Sequence, residues 1–204
     1  MLKNRQLIKK VLSKYKVRLS IDDIEKRYTE AHRYYHNTDH INFFIDEILK
    51  LNLPKDKEDL LILAALFHDI WYIPGDKENE KKSAELLKKN SVYSDYIQLA
   101  YDIIMDTKDH QPRTTLSKIF CDIDMMPISD TSFEELLDGS KKVDKELELF
   151  FDKEDIRKGR MKFLYDIINT EYGYKNKENL LRLINYYENN MKFLESFRFF
   201  NNKF

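Results

Sequence analysis

All five histidines of this 204-residue chain fall between positions 32 and 110. His32, His36 and His40 are spaced by four, which is one face if a single helix runs through them. Asn37-Thr38-Asp39 can instead break that helix, with Thr38 or Asp39 capping a new one and His40 in its first turn. Imidazole is both a frequent metal ligand and the side chain that exchanges a proton most readily near neutral pH. His68-Asp69 end a run, Leu60 to Phe67, that is apolar on every face, and such a helix is buried all round. A carboxylate there needs a partner, because desolvating it alone costs several kcal/mol. A metal cation is one such partner; an arginine, or a His–Asp hydrogen bond between helices, is another. Asp122-Ile123-Asp124 follow a second apolar stretch, Ile119-Phe120-Cys121, and read either as ligands or as solvated carboxylates at a helix end. Two imidazoles with two or three carboxylates suit Mn, Fe, Co, Ni or Zn better than Ca, which takes oxygen alone.

Helices must carry these groups. The chain holds only four glycines and four prolines, too few for the turns of an all-β fold, so the expected class is all-α. Periodicity predicts helices over about 3–16, 20–34, 39–52, 57–71, 78–90, 95–106, 114–121, 133–150, 155–170 and 177–198. Ser20 with Asp23, and Ser132 with Glu135, have capping-box spacing, and Asp56 is placed to cap the helix after it. Pro74-Gly75 marks a tight turn. No linker, repeat or low-complexity tract interrupts the chain, so residues 1–204 read as one domain. Its core spans about 20–130, and a helical extension over 131–204 is expected to pack on that core.

Composition removes several function classes. With 35 basic and 36 acidic side chains the formal charge is -1, unlike a protein that binds nucleic acid in bulk. No apolar run nears the roughly 20 residues of a membrane span. The single cysteine, Cys121, forbids an internal disulfide and fits a cytoplasmic, reducing location. Met1 to Ser20 carries seven cations and no acid; the alternatives are a targeting peptide or a surface-binding helix, and composition favours an ordinary first helix with a basic solvent face. Phe193, Phe197, Phe199, Phe200 and Phe204 form an aromatic C-terminal segment, expected to dock on the domain or on a second subunit as a homodimer.

Several segments, taken in order, resemble the HD superfamily of metal-dependent phosphohydrolases, and within it a subfamily of HD-type phosphohydrolases. They are Arg33-Tyr34-Tyr35-His36-Asn37-Thr38-Asp39-His40, Phe67-His68-Asp69-Ile70-Trp71-Tyr72, Asn79-Glu80 with Ser83-Ala84, Thr107 with His110, and Asp122-Ile123-Asp124. The resemblance covers about residues 28–130. It implies an HD-domain helical bundle with added C-terminal helices and a metal site made of His40, His68, Asp69 and a distant aspartate. The register of that last motif in the superfamily favours Asp124 over Asp122, leaving Asp122 beside the site.

The string Tyr35-His36-Asn37-x-x-His40 is also similar to one in cyclic-nucleotide phosphodiesterases, distant members of the superfamily, and implies that His36 is the general acid. The implied activity is hydrolysis of a phosphoester or phosphoanhydride of a small molecule, a nucleotide foremost, by a metal-activated water. One or two divalent ions are implied: Mn, Fe, Co, Ni or Zn, with Mg admissible. Asp69 is then both ligand and catalytic residue, bridging a second ion if one binds. Arg33 and Lys108 are candidates to grip phosphate oxygens, since cationic clamps stabilise a transferring phosphoryl group. Glu80 is expected near the site to orient a ligand or water. His110 is a candidate for a second metal, a phosphate contact or a helix C-terminal charge. Two alternatives stay open: a di-iron oxygenase, which some HD-fold proteins are, and a non-catalytic metal- or nucleotide-binding module.

Overall fold

The computed structural model describes residues 1–201, without the side chains of 190–201. The described residues form twelve helices and no strand, so the all-α class holds. The helices divide into two compact units, one of Met1–Asp124 and one beginning at Met125.

The first unit comprises α1 (Arg5–Lys14), α2 (Ile21–Tyr28), α3 (Thr38–Lys50), α4 (Lys55–Phe67), α5 (Asn79–Lys89), α6 (Asp95–Asp106) and α7 (Thr115–Asp124). α4 is its axis, and α1, α3, α5, α6 and α7 all pack on it. Leu60 through Phe67 are each buried to 1% exposure or less, as their uniform apolarity requires. Tyr28, Phe44, Phe67 and Phe120 are the largest side chains fully enclosed. The basic first helix is part of this core, because Ile8, Val11 and Leu12 face inward. Its lysines are therefore a solvent face, and its apolar stripe is already covered.

Local chemistry sets most of the helix ends. Ser20 and Asp23 form the anticipated capping box, and so do Ser132 and Glu135. Gly75 has φ 81° in the turn closed by the Asp76 amide on the Ile73 carbonyl at 3.0 Å, a conformation glycine adopts freely. Three expectations need correction. α2 stops at Tyr28 instead of continuing to 34; Thr29 is its C-cap, and the Thr29 hydroxyl donates to the carbonyls of Glu25 and Lys26 in the last turn. His32 and His36 consequently lie in a loop, and only His40 of the three spaced histidines is helical. Asp56 is not a cap: α4 begins at Lys55, two residues earlier than expected, and places Asp56 in its first turn, where a carboxylate meets the positive end of the helix dipole. The break before His40 is capped by Asn37, not by Thr38 or Asp39; its side chain accepts the Asp39 amide at 2.8 Å.

The second unit contains α8 (Met126–Ser129), α9 (Phe133–Leu147), α10 (Lys153–Ile167), α11 (Glu171–Lys175) and α12 (Lys177–Asn201). Leu136, Leu164, Ile167, Leu180, Leu183 and Tyr187 belong to its core. The Asp144 carboxylate joins three helices, receiving Arg160 Nε at 3.0 Å and Nη2 at 2.8 Å together with the Tyr187 hydroxyl. α8 and α11 are too short to register as a 3.6-residue pattern. A Cβ on Gly173 would stand 2.1 Å from the Ile167 carbonyl oxygen, so α11 can approach α10 this closely only with glycine there. The aromatic docking expected of Phe193, Phe197, Phe199, Phe200 and Phe204 lies outside the described residues. No described helix is long and apolar enough to cross a membrane.

Candidate metal centre

Three helix ends in the first unit bring the chemical residues together. The Asn37 cap starts α3 so that His40 falls in its first turn, facing inward. α4 ends at Phe67, with His68 as its C-cap and Asp69 directly after. α7 runs three residues further than its apolar stretch predicts and carries Asp124 on its last turn.

His40 Nε2 and His68 Nε2 are 3.2 Å apart. Asp69 Oδ2 lies 3.0 Å from His68 Nε2 and 3.6 Å from His40 Nε2. Asp124 Oδ1 is 3.8 Å from His40 Nε2. One donor atom from each of His40, His68 and Asp124 falls within 4.8 Å of the others, the spacing of ligands around one ion. His68 Nδ1 donates to the Ala65 carbonyl at 2.9 Å, which fixes the ring and leaves Nε2 facing the cluster. Phe44 and Phe120 close the apolar side, with ring centroids 4.6 and 5.6 Å from that of His68. Two imidazole nitrogens and two carboxylates in a largely buried setting fit a borderline transition metal. Cys121 is no thiolate ligand: burial, with the nearby aspartates, pushes its thiol up to about 12, and it donates weakly to the Asp106 carbonyl.

The electrostatics of the cluster are polarised. Burial, with the positive His68 close by, lowers His40 to about 4, so its ring is neutral at pH 7. Burial pulls His68 down too, but the Asp69 carboxylate outweighs it and carries that ring to about 9. Burial alone would raise Asp69; the surrounding rings, His68 first, hold it well below the usual carboxylate range. Asp124 behaves likewise, lowered by His110 against its burial.

His110 reaches the cluster from the α6–α7 loop. Its Nε2 is 3.1 Å from Asp124 Oδ2, on a backbone turned to φ 52°. The loop is tied down by Asp106, which accepts Arg113 Nε at 2.6 Å and the Arg113 amide at 3.1 Å. His36 stands beside the cluster with its ring centroid 5.8 Å from that of His40 and 4.3 Å from that of Tyr72. Glu80, half-buried at the start of α5, has its carboxyl raised chiefly by burial, with the charges of Asp69 and Asp124 adding to the shift.

Three expected site residues sit elsewhere or do something else. Asp122 pairs with Lys118 one turn back on α7 and takes no place in the cluster. Lys108 is an exposed cation 3.5 Å from Glu78. Arg33 does not face solvent: its side chain is fully buried and bound to Glu30 and to backbone carbonyls. Nothing in the sequence signals the Asp106–Arg113 clamp or the Tyr72 ring against His36. Phe44 does carry a signal, being one turn after His40 on the same helix face. No protein-family model matches the chain, and neither a curated protein nor a solved structure matches it.

Proposed function

We propose that this protein is a metal-dependent phosphohydrolase of the HD type, hydrolysing a phosphoester or phosphoanhydride bond of a small molecule, with nucleotides the first class to test. The observation that carries this reading is the meeting of His40, His68, Asp69 and Asp124 at three helix ends, with His36 adjacent. A divalent ion bound there, Mn, Fe, Co, Ni or Zn, would lower the pKa of a water toward about 7 and would withdraw charge from a phosphoryl oxygen. The chain's own residues do the rest. His40, His68, Asp69 and Asp124 would hold and orient the ion. His36, whose ring stands beside that of His40, gives a proton to the leaving oxygen, the usual task of a histidine near neutral pH. A lone, buried cysteine supports a cytoplasmic setting.

The test is a screen of the protein loaded with Mn, Co or Ni against nucleoside mono-, di- and triphosphates, cyclic nucleotides and a generic phosphodiester. Phosphate release or diester cleavage that requires the metal supports the reading. No turnover from protein of confirmed metal content overturns it. The His110–Asp124 contact favours one second reading, a di-iron oxygenase with His110 on the second iron. Iron near two per chain with an oxygen-dependent absorption spectrum selects it.

A further inference from the structure

Arg33 lies in the loop between α2 and α3, three residues before His36. Its side chain is 0% exposed. A guanidinium cannot shed its charge, so burying one is costly unless its N–H groups are met. Here four of its five donors are met. Nε donates to Glu30 Oε2 at 3.2 Å. Nη1 donates to the carbonyl of His36 at 2.9 Å and to the carbonyl of Asp69 at 2.8 Å. Nη2 donates to the Ile70 carbonyl at 3.2 Å. The Tyr28 and Tyr72 rings lie 5.0 and 5.3 Å from the guanidinium carbon. Tyr72 is also the ring against which His36 packs.

This arrangement has a directional consequence. The Asp69 and Ile70 carbonyls lie just past the end of α4, where the negative end of the helix dipole favours a nearby cation. One nitrogen of that cation holds the backbone of His36 and the backbone of Asp69 at once. The loop between α2 and α3 has no helical ladder of its own to fix it over α4.

We propose that Arg33 is a positioning residue, which sets the His36 ring against the His40–His68–Asp69 cluster by tying the two backbones through one guanidinium. Lysine cannot replace it, because its three donors radiate from a single atom and lack the planar fork. The kinetic consequence rests on His36 being the proton donor of the proposed hydrolase; the structural consequence does not.

The test compares wild type, Arg33→Lys and Arg33→Gln by imidazole NMR of the full chain, whose five histidines can be assigned one by one. In either folded variant the His36 ring signals are expected to shift or broaden while those of His40 and His68 hold. With a substrate in hand, kcat is expected to fall about 10–100-fold with KM within about threefold, the scale of a misplaced reacting group. His36 signals unchanged in a folded variant overturn the proposal. So does a failure of both variants to fold, since Arg33 would then hold the domain and not the ring. Absent turnover in the wild type counts against the hydrolase reading, and the NMR comparison still decides for or against Arg33.

Discussion

His40 Nε2 and His68 Nε2 face each other at 3.2 Å, with both rings buried. Two ring nitrogens so close cannot both carry a proton toward each other. The structure resolves this unequally, with His40 lowered to about 4 and His68 raised by Asp69.

Metal affinity should therefore depend on pH in a defined direction. Ligation needs His68 Nε2 bare, whereas the metal-free ring keeps its proton until the pH approaches about 9. Binding displaces that proton, so apparent affinity should rise up to about tenfold per pH unit between roughly pH 6.5 and 9. In the metal-free chain the linkage has the opposite sign. The raised folded pKa adds stability below the unfolded value of 6.5, and that stability is lost as pH rises through the folded one. Calorimetric titration with Mn or Zn at several pH values, in buffers of different ionisation enthalpy, reads both affinity and proton release. A flat profile contradicts the prediction.

His36 and the cluster residues should fail differently when removed. His36→Ala should keep its metal and slow hydrolysis by about 10²–10⁴-fold, the usual scale for a general acid. His40→Ala and Asp69→Ala should bind little metal and lose the stabilisation that metal adds. Metal analysis after dialysis, beside thermal melts with and without added ion, separates the two classes. Loss of metal from His36→Ala would place that ring among the ligands.

The two aspartates of α7 should also part company. Asp124→Asn removes a carboxylate from the cluster and should weaken metal binding strongly. Asp122→Asn breaks only a half-exposed pair with Lys118, whose contribution is about 0.5 kcal/mol or less. Metal content and melting temperature, measured side by side, check the contrast; equal effects on metal content contradict it.

At the far end of α4, Asp59 predicts part of the acid sensitivity. Its carboxylate is buried, 2.8 Å from Lys14 Nζ and 3.0 Å from Lys55 Nζ. Burial raises its pKa, but the two lysines outweigh it and the net shift is downward. A depressed folded pKa adds stability above the unfolded value of 3.8, and that stability is lost as pH falls through the folded one. Both lysines are well exposed, so Asp59→Asn should cost only about 1 kcal/mol at pH 7. It should also flatten the acid limb of the stability curve. Urea melts from pH 7 down to pH 3 measure both, and parallel curves for the two proteins contradict the assignment.

What the sequence determined by itself is what local chemistry determines. The buried helix at Leu60–Phe67, the two capping boxes, the Pro74-Gly75 turn and the all-α class each depend on residues within a turn or so of one another. The types of residue able to hold a metal were legible too, because a carboxylate next to an apolar run demands a partner wherever it lands. Which of them meet was decided by tertiary structure. Asp122 and Asp124 are two residues apart, so a helix turns them about 200° from each other and only packing chooses the inward face. His110 joins Asp124 through a loop held by Asp106 and Arg113. Arg33 is the plainest case. From sequence it reads as a cation free to grip phosphate, yet its partner at Asp69 is 36 residues away. Contacts at that separation leave no period in the chain, because they arise only once α4 is buried and the carbonyls just past its end need a donor.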